Sequence, residues 1–332
     1  MSIPEGITII HAYGFSITGT QHVKNGTVCQ DYNGHKKISD DACVVAVADG
    51  VGSSKHSDIA SDMAVNTLLE YVVENYDTYD SKTELLKRAF SKSKEVIEQE
   101  ADEAGKEHKD YDTTLSAAIY DGSNISYGHS GDGGIVVLTD DGRYVNITET
   151  QKGNDGITVL PLRAGPDCWV FGSFEKVSSV LMATDGVYDI LTPYLLRGQE
   201  TEVYIPLARI LMDNNVLSVD ADNILKIQNN LEEFFNSDQL SAVTDDKTVT
   251  VLINSEKFAA ILDDDYYAVP DFNRLKQEWD RKAYPHMFQK KMDDINEFSS
   301  STISSDEDEG PKDISETCCE GISLNEGDQN DS

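Results

Sequence analysis

The sequence predicts an α+β domain in which antiparallel sheets pack together and are covered by helices. Two observations support this prediction. First, two long helical patterns are followed by a group of short β-type runs, and a second helical region then lies between two further β-type runs. Second, turn-forming Asp-Gly pairs separate several of the short runs, as is typical of turns between antiparallel strands.

The predicted helices follow from the spacing of apolar side chains. Residues 53–76 and 81–104 carry apolar residues close to the helical period, and the second segment opens on a Ser-x-x-Glu capping box. A third helix is predicted to begin at Thr192 and Pro193, because proline suits the first turn of a helix. A fourth is predicted near residues 222–235, where apolar residues again recur at helical spacing.

The predicted strands are short apolar runs. Four of them lie between residues 113 and 148, and we predict that they form an antiparallel meander with hairpin turns. The turns are Asp121-Gly122, Gly131-Asp132-Gly133 and Asp141-Gly142. Two further strands are predicted, VSSVLMAT before Asp185 and TVTVLIN after Asp245.

The chain is strongly acidic, which excludes one class of partner. Its 332 residues include 60 Asp and Glu against 27 Lys and Arg, for a formal net charge of -33. We expect no nucleic-acid ligand, because phosphate backbones are bound by clustered Lys and Arg. Hydrophobic residues make up 39% of the chain, which is enough for a packed core.

Several features of the sequence predict a cytoplasmic protein that does not enter a membrane. No run of about 18 apolar residues occurs, and the first residues lack the basic and apolar regions of a signal peptide. The five cysteines are odd in number and follow no CxxC or zinc-ligand spacing. We therefore expect reduced thiols, as is usual in a cytosol.

Two aspartates stand at positions that turns do not explain. Asp121 and Asp141 have β-type runs on each side, so we interpret them as hairpin tips. Asp49 and Asp185 instead end apolar runs and precede helical patterns. A carboxylate at a buried strand end needs a compensating cation or hydrogen-bond donors, and no Lys or Arg lies within three residues of either. A bound metal ion is the simpler explanation.

Further acids extend this predicted metal site. Asp132 lies between two β-type runs, and Asp245 with Asp246 directly precedes a strand. Carboxylate, carbonyl and water oxygens are the ligands that Mg²⁺ and Mn²⁺ prefer, whereas His and Cys would indicate zinc. Gly50 lacks a Cβ, so its backbone carbonyl can approach an ion closely.

Six segments of the sequence, taken in order, resemble the motifs of a known family. The family is that of the metal-dependent serine/threonine protein phosphatases of type 2C, and the departures below place the chain nearest its bacterial-type members. A single Asp-Gly motif would be a weak signal, but six motifs in the family's order across residues 10–254 are a strong one. The segments are CQDY, VVAVADGVG, DTTLSAAIY, YGHSGDGGIVVL, LMATDGVYD and DDKTVTVLI.

The resemblance implies a four-layer α-β-β-α sandwich with a two-metal site at one end. It implies that Asp49 bridges both metals, that the Gly50 carbonyl binds one of them, and that Asp185 and Asp245 hold the other. Asp132 matches the position that helps to bind a third, weaker metal in many members.

Other residues match the family's supporting positions. Asp31 would order metal-bound water from the outer shell. Asp189 matches an acid that gives structural support, and Thr113 and Thr114 match a motif that we interpret as strand packing near the site.

The resemblance also implies the reaction. The predicted activity is hydrolysis of phosphoserine and phosphothreonine in proteins, by attack of a water or hydroxide that bridges two Mg²⁺ or Mn²⁺ ions. The sequence has neither a Cys-x5-Arg loop nor a GxxxxGK[ST] loop, which argues against a cysteine phosphatase and an NTPase. The expected partner is a phosphoprotein that a serine/threonine kinase modifies in signalling, and we expect a monomer.

Some positions depart from the family pattern and leave an alternative open. Many members have Glu where this chain has Gln30, a phosphate-binding Arg where it has Gly26, and animal-type members have His where it has Val51. A pseudophosphatase that uses the fold as a regulatory binding module is therefore the alternative to an active enzyme.

Three basic residues are candidates to contact substrate in place of the missing arginine. His22 and Lys24 lie in the same stretch as Gly26, although a loop histidine is more often an ordinary surface or hydrogen-bonded residue. Arg163 is the only arginine in residues 150–176, a segment that matches the flap beside the site in this family. An ordinary surface loop is the alternative interpretation of residues 150–176.

The predicted domain organisation has three parts. Residues 1–254 form the phosphatase-like domain, and residues 255–298 form a helical extension with apolar residues on either side of Pro285. We favour packing of this extension on the protein's own core over docking of a partner. Residues 299–332 contain ten acidic residues and one lysine, so we predict a disordered acidic tail.

Overall fold

The computed structural model describes residues 9–285, and it confirms the predicted α+β class. Strands and helices alternate in groups along the chain. The strands are β1 (Ile10–Ile17), β2 (Asp31–Lys37), β3 (Cys43–Asp49), β4 (Leu115–Tyr120), β5 (Ile125–Ser130), β6 (Gly134–Thr139), β7 (Tyr144–Asn146), β8 (Val170–Phe174), β9 (Val177–Ala183) and β10 (Lys247–Asn254). The helices are α1 (Thr20–Asn25), α2 (Ser57–Asn75), α3 (Lys82–Glu103), α4 (Asp185–Leu191), α5 (Ile205–Met212), α6 (Asn214–Leu217), α7 (Ile224–Phe235) and α8 (Phe272–Ala283).

The strands form two five-stranded antiparallel sheets. One sheet has the order β1-β10-β9-β6-β7, and the other has the order β2-β3-β4-β5-β8. In the first sheet the earliest strand of the chain pairs with the latest one, from Ile10 opposite Asn254 to Ile17 opposite Lys247. In the second sheet β2 and β3 pair so that Asp31 lies opposite Asp49.

Both faces of the central strands are buried, and this produces four layers. Alternate residues of β3 point to opposite sides, so Val45 and Val47 pack between the sheets while Val44 and Ala46 pack against α2 and α3. On the far side, α4, α5 and α7 cover the outer face of the other sheet. The predicted α-β-β-α order is therefore present.

Of the four helices predicted within residues 1–254, three are present. Residues 53–76, 81–104 and 222–235 contain α2, α3 and α7, and the Ser81 hydroxyl caps α3 by accepting from the backbone N–H of Glu84 at 3.2 Å. No α-helix begins at Thr192. A proline disfavours helical geometry in the residue before it, so α4 ends at Leu191, just before Thr192. The residues directly after Pro193 form a single 3₁₀ turn, Tyr194–Leu196.

The predicted meander is interrupted at Gly131-Asp132-Gly133. Asp121-Gly122 and Asp141-Gly142 do connect paired strands, β4 with β5 and β6 with β7. β5 and β6, however, belong to different sheets. The glycine-rich segment therefore carries the chain from one sheet to the other, and it places Asp132 at the open end of the sandwich.

The chain divides into two compact units, which are described separately. One contains the described residues up to Asn236 together with Leu240–Pro270, and the other contains Ser237–Gln239 and the described residues from Asp271 onward. The second unit includes α8, which Asp271 caps by accepting from the N–H of Arg274 at 2.9 Å. The second predicted helix of the extension and the acidic tail lie outside the described residues.

Within residues 9–285, no helix has both the length and the apolar character needed to cross a membrane.

Candidate metal centre

Three aspartates from separate elements meet at one end of the sandwich. Asp49 is the last residue of β3, Asp185 is the first residue of α4, and Asp132 lies where the chain crosses between the sheets. One carboxylate oxygen from each lies within 4.8 Å of the other two. The structure therefore brings together three of the four acids that the sequence predicted as metal ligands.

Backbone hydrogen bonds hold Asp49 on both sides of its Cα. Its N–H donates to the Thr114 hydroxyl at 2.9 Å, and its carbonyl accepts from the Thr114 N–H at 2.8 Å and the Thr113 hydroxyl at 2.9 Å. Thr113 and Thr114 thus position the site residue directly, which goes beyond the strand packing predicted for them. These bonds fix the backbone from which the Asp49 side chain extends.

The electrostatics of the three carboxylates suit a divalent cation. Burial, followed by repulsion from Asp31 and Asp185, raises the pKa of Asp49 well above its usual value. Burial and the charge of Asp132 raise the pKa of Asp185 to about 7. Within the described residues, the one ion pair to the three carboxylates is from Lys152, whose Nζ lies 3.8 Å from Asp132. Clustered oxygen donors with so little compensating charge fit Mg²⁺ or Mn²⁺.

Gly50 is required by close backbone packing. A Cβ at this position would lie 2.7 Å from the carbonyl oxygens of both Gln30 and Ser57. The Gly50 N–H also donates to the Gln30 carbonyl at 3.1 Å. Any larger residue would push apart the three segments that meet beside Asp49.

Asp31 lies opposite Asp49 on the neighbouring strand and outside the three-carboxylate cluster. It is buried, and its Oδ2 accepts from the Thr184 hydroxyl at 2.7 Å. Burial raises the pKa of Asp31 to about 8, with a further contribution from the charge of Asp246. No role was predicted for Thr184 from the sequence, although a threonine just before a helix is a recognised signal of the helix N-terminus.

The adjacent acids Asp245 and Asp246 differ in environment. Asp245 is exposed, and its Oδ1 accepts from the N–H of Asp246 at 2.9 Å. It lies outside the three-carboxylate cluster, although its charge contributes to the raised pKa of Asp49 and of Asp185.

Asp246, which the sequence placed with Asp245 in the predicted metal site, is instead a buried positioning residue. Its buried carboxylate accepts from the N–H groups of Gly19 and Gln30, each at 2.6 Å, and pairs with Nδ1 of His22 at 2.8 Å. It therefore ties the segment before β2 to the start of β10. The only signal was a second acid directly before a buried strand.

The three predicted substrate contacts have different surroundings. His22 is bound to Asp246, and Lys24 is exposed in the last turn of α1. Arg163 makes a two-point pair with Asp112, with Nε and Nη2 donating at 2.6 and 2.7 Å. Gly26 ends α1 with φ of 69°, a left-handed conformation that disfavours the arginine found there in many phosphatases of type 2C.

A cavity of about 640 Å³ opens beside the carboxylates. Its lining includes Asp132, Asp185 and Asp189, together with Lys152 and Arg197. Neither Lys152 nor Arg197 was predicted as a site residue, because nothing in the local sequence distinguishes either from an ordinary surface residue. The cavity therefore brings two cationic side chains next to a candidate cation site.

The fold and the sequence both match known phosphatases. The family model described as protein phosphatase 2C matches residues 18–235, and no protein of curated function matches the sequence. A serine/threonine phosphatase of S. agalactiae is 17% identical, with a TM-score of 0.52 over 74% of this chain and 99% of that one. A serine/threonine phosphatase from Staphylococcus aureus is 15% identical, with a TM-score of 0.50 over 76% and 98%.

A further solved structure shows a metal-bound phosphatase of the same fold. It is the catalytic domain of the serine threonine protein phosphatase PstP in complex with two manganese ions, 15% identical, with a TM-score of 0.51 over 74% of this chain and 97% of that one. At such identities these structures establish the fold. The family match covers more than half of the chain, and the chain therefore belongs to the protein phosphatase 2C family of protein-serine/threonine phosphatases.

Proposed function

We propose that the chain is an active phosphoprotein phosphatase that hydrolyses phosphoserine and phosphothreonine with two bound divalent cations, Mg²⁺ or Mn²⁺. The observation that carries this proposal is the approach of oxygens from Asp49, Asp132 and Asp185 to within 4.8 Å of one another. Bound there, the cations would supply an activated water for attack on phosphorus and neutralise charge that develops on the phosphoryl oxygens.

The protein's own residues would divide the work of holding the cations. Asp49 is the proposed shared ligand, together with the Gly50 carbonyl. Asp185 and Asp245 would complete the pair, and Asp132 would serve a third, weaker site. The three hydrogen bonds to the backbone of Asp49 support this role, since supporting contacts orient a ligand.

Two features of the chain support attack by water. Asp31, held by the Thr184 hydroxyl, is the proposed acceptor that orients water at the site. The half-buried Cys29 lies close to Asp31, but burial and the charges of Asp246 and Asp31 raise the pKa of its thiol to about 12. The thiol therefore stays protonated at neutral pH and is a poor nucleophile.

Phosphate release from a phosphothreonine peptide, with Mn²⁺, with Mg²⁺ and with EDTA, tests the proposal. We expect turnover with either metal and none with EDTA. Asp49→Asn should abolish turnover, whereas Asp121→Asn, at a hairpin tip between β4 and β5, should leave it unchanged. Metal-independent turnover, or equal activity of the two variants, would contradict the assignment.

The pseudophosphatase remains the second candidate, because Gln30 and Gly26 replace residues that assist metal and phosphate binding in many members. In this fold the backbone of Gln30 bonds to Gly50 and Asp246, and Gly26 closes α1. Gly26 therefore has a conformational role, whereas the bonds of Gln30 come from its backbone and do not depend on its side chain. Tight Mn²⁺ binding by calorimetry, combined with no turnover of any phosphopeptide, would favour this second candidate.

The oligomeric state, the cellular location and the substrates of the enzyme are part of the same proposal. We propose a monomer that acts in the cytoplasm on targets of a serine/threonine kinase. The cysteines that the structure describes, Cys29, Cys43 and Cys168, are free thiols, which suits a reducing compartment. Light scattering would measure the oligomeric state, and fractionation of cells would test the location.

A further inference from the structure

The cavity beside the carboxylates is large enough for more than a phosphate ion. Its volume of about 640 Å³ falls within the roughly 300–1,000 Å³ that is usual for sites that enclose a drug-sized ligand. A phosphorylated side chain together with its neighbours in a peptide would fill such a space. The residues that line the cavity can therefore select among phosphopeptides.

Charge is distributed unevenly in the cavity. The titratable groups facing it are three acids, Asp132, Asp185 and Asp189, two cations, Lys152 and Arg197, and the phenol of Tyr194. The three negative and two positive side chains have a net charge of -1, so the charge of two bound divalent cations would exceed it. In a chain with a net charge of -33, such a lining is a local exception that favours anionic ligands.

Lys152 is held next to the carboxylates by a small hairpin. The hairpin is closed by a bridge between Lys152 and Val159, and the N–H of Gln151 anchors it by donating to the Gly131 carbonyl at 2.7 Å. Lys152 Nζ lies 3.8 Å from the Asp132 carboxylate, and the side chain is 41% exposed. It can therefore contact a ligand at the cluster without losing its anchor.

Arg197 lies beyond the 3₁₀ turn that follows α4. It is exposed, and within the described part of the chain it takes part in no ion pair. Tyr194 and Pro193 also line the cavity beside it. An arginine with a free guanidinium is well suited to two-point contact with a carboxylate.

We infer that the cavity selects acidic phosphopeptides, with Lys152 binding the phosphoryl group and Arg197 binding a carboxylate side chain next to the phosphorylated residue. The inference rests on the proposed function of the carboxylate centre, and it adds a substrate class to that function. It also assigns the phosphate contact to a residue other than His22, Lys24 or Arg163.

The test compares two phosphothreonine peptides that differ only in having Glu or Gln beside the phosphothreonine. Lys152→Met should raise KM for both peptides, and the inhibition constant of inorganic phosphate, by roughly tenfold, because a charge-assisted contact is lost. Lys152→Arg should restore most of both. Arg197→Met should raise KM for the Glu peptide alone and leave phosphate inhibition unchanged. Lys226→Met, an exposed lysine on α7, is the matched control.

Two outcomes would overturn the inference. If Lys152 only neutralises Asp132, Lys152→Met will lower the Mn²⁺ concentration needed for half activity and leave phosphate inhibition unchanged. If Arg197→Met leaves the ratio of KM values for the two peptides unchanged, the acidic preference is wrong.

A binding measurement separates this inference from the proposed function. Fluorescence anisotropy of the two labelled peptides, with Mn²⁺ present, reports selection without requiring turnover. A preference for the Glu peptide that disappears in Arg197→Met supports the inference even if the wild-type protein hydrolyses neither peptide. Turnover by the wild-type protein with equal binding of both peptides supports the function and overturns the inference.

Discussion

The carboxylate centre and the walls of the cavity beside it are built in opposite ways. Asp49 ends a buried strand, and three hydrogen bonds to its backbone hold it. Lys152 and Arg197 lie on loops, with their side chains reaching into solvent. In the proposed function, strand ends such as Asp49 hold the metal ligands and the loops recognise the substrate. Changes in the two regions should therefore have different effects.

The largest effect is expected from Asp185→Asn, which removes a ligand charge with little change in side-chain size. We expect more than about a 100-fold loss of turnover, because losing a mere supporting partner of a ligand already costs about 10–100-fold. Mn²⁺ should also raise the melting temperature less than it does for the wild-type protein. Assays at saturating metal and melting curves with Mn²⁺ or EDTA would measure both effects. Near-normal turnover would remove Asp185 from the centre.

An intermediate effect is expected from Thr114→Val, which deletes the hydroxyl that accepts from Asp49. Turnover should fall by about 10–100-fold, and stability by about 1–3 kcal/mol, because a buried N–H loses its partner. Thr148→Val is the matched control, since the Thr148 hydroxyl accepts from the N–H of Ile135 at 2.9 Å. The control should lose similar stability and retain turnover. Equal losses of turnover would show that Thr114 supports the fold only.

A pH effect is expected from His129, which connects the two regions. Its Nδ1 pairs with the Ser116 hydroxyl at 2.8 Å, and its Nε2 lies 3.2 Å from the carbonyl of Glu149. Glu149 directly precedes the cavity hairpin, which the bridge between Lys152 and Val159 closes. Burial lowers the pKa of His129 to about 4. The unfolded chain therefore takes up a proton below about pH 6.5 that the folded protein resists, and stability falls as the pH falls toward 4.

The expected contribution of His129 between pH 7 and pH 5 is about 2 kcal/mol of lost stability. His129→Gln should lack this part of the pH dependence. Urea unfolding at the two pH values would measure it, and His108→Gln, at a 40% exposed histidine, serves as the control. The same pH slope in His129→Gln and the wild-type protein would contradict the prediction.

The smallest effect is expected at the tip of the cavity hairpin. Ile157 is 81% exposed, so Ile157→Ser should change stability by no more than about 0.5 kcal/mol. Turnover of a small phosphoester should stay the same, and only KM for a phosphoprotein should change, by about threefold or less. A large loss of turnover on the small phosphoester would mean that the cavity wall and the carboxylate centre do not act separately.

Local patterns in the sequence predicted most of the fold. β4, β5 and β6 were found from short apolar runs bounded by turn residues, and the burial of α2 and α3 followed from helical spacing. β2 was not predicted, because DYNGHKK carries a weak strand signal and forms a strand through its pairing with β3. The crossing at Gly131–Gly133 was also missed, since the partner of β6 lies in β9, about 40 residues later.

The candidate site was predictable where chemistry follows local context. Asp49 and Asp185 could be recognised because each ends an apolar run. Lys152 could not, because its place near Asp132 depends on a hairpin that Gln151 anchors to Gly131. Arg163 shows the opposite failure of local reasoning, since a partner 51 residues away, Asp112, engages its guanidinium.

The pairing of β1 with β10 has a consequence for synthesis of the protein. All strands of the β2-β3-β4-β5-β8 sheet have left the ribosome once residue 174 has emerged, so that half can begin to fold early. β1 must wait for β10, more than 200 residues later, and such distant pairing slows folding. Asp245 arrives with β10. A nascent chain that stops short of this strand therefore exposes the edge of β9 to aggregation, and it lacks Asp245, one of the proposed metal ligands.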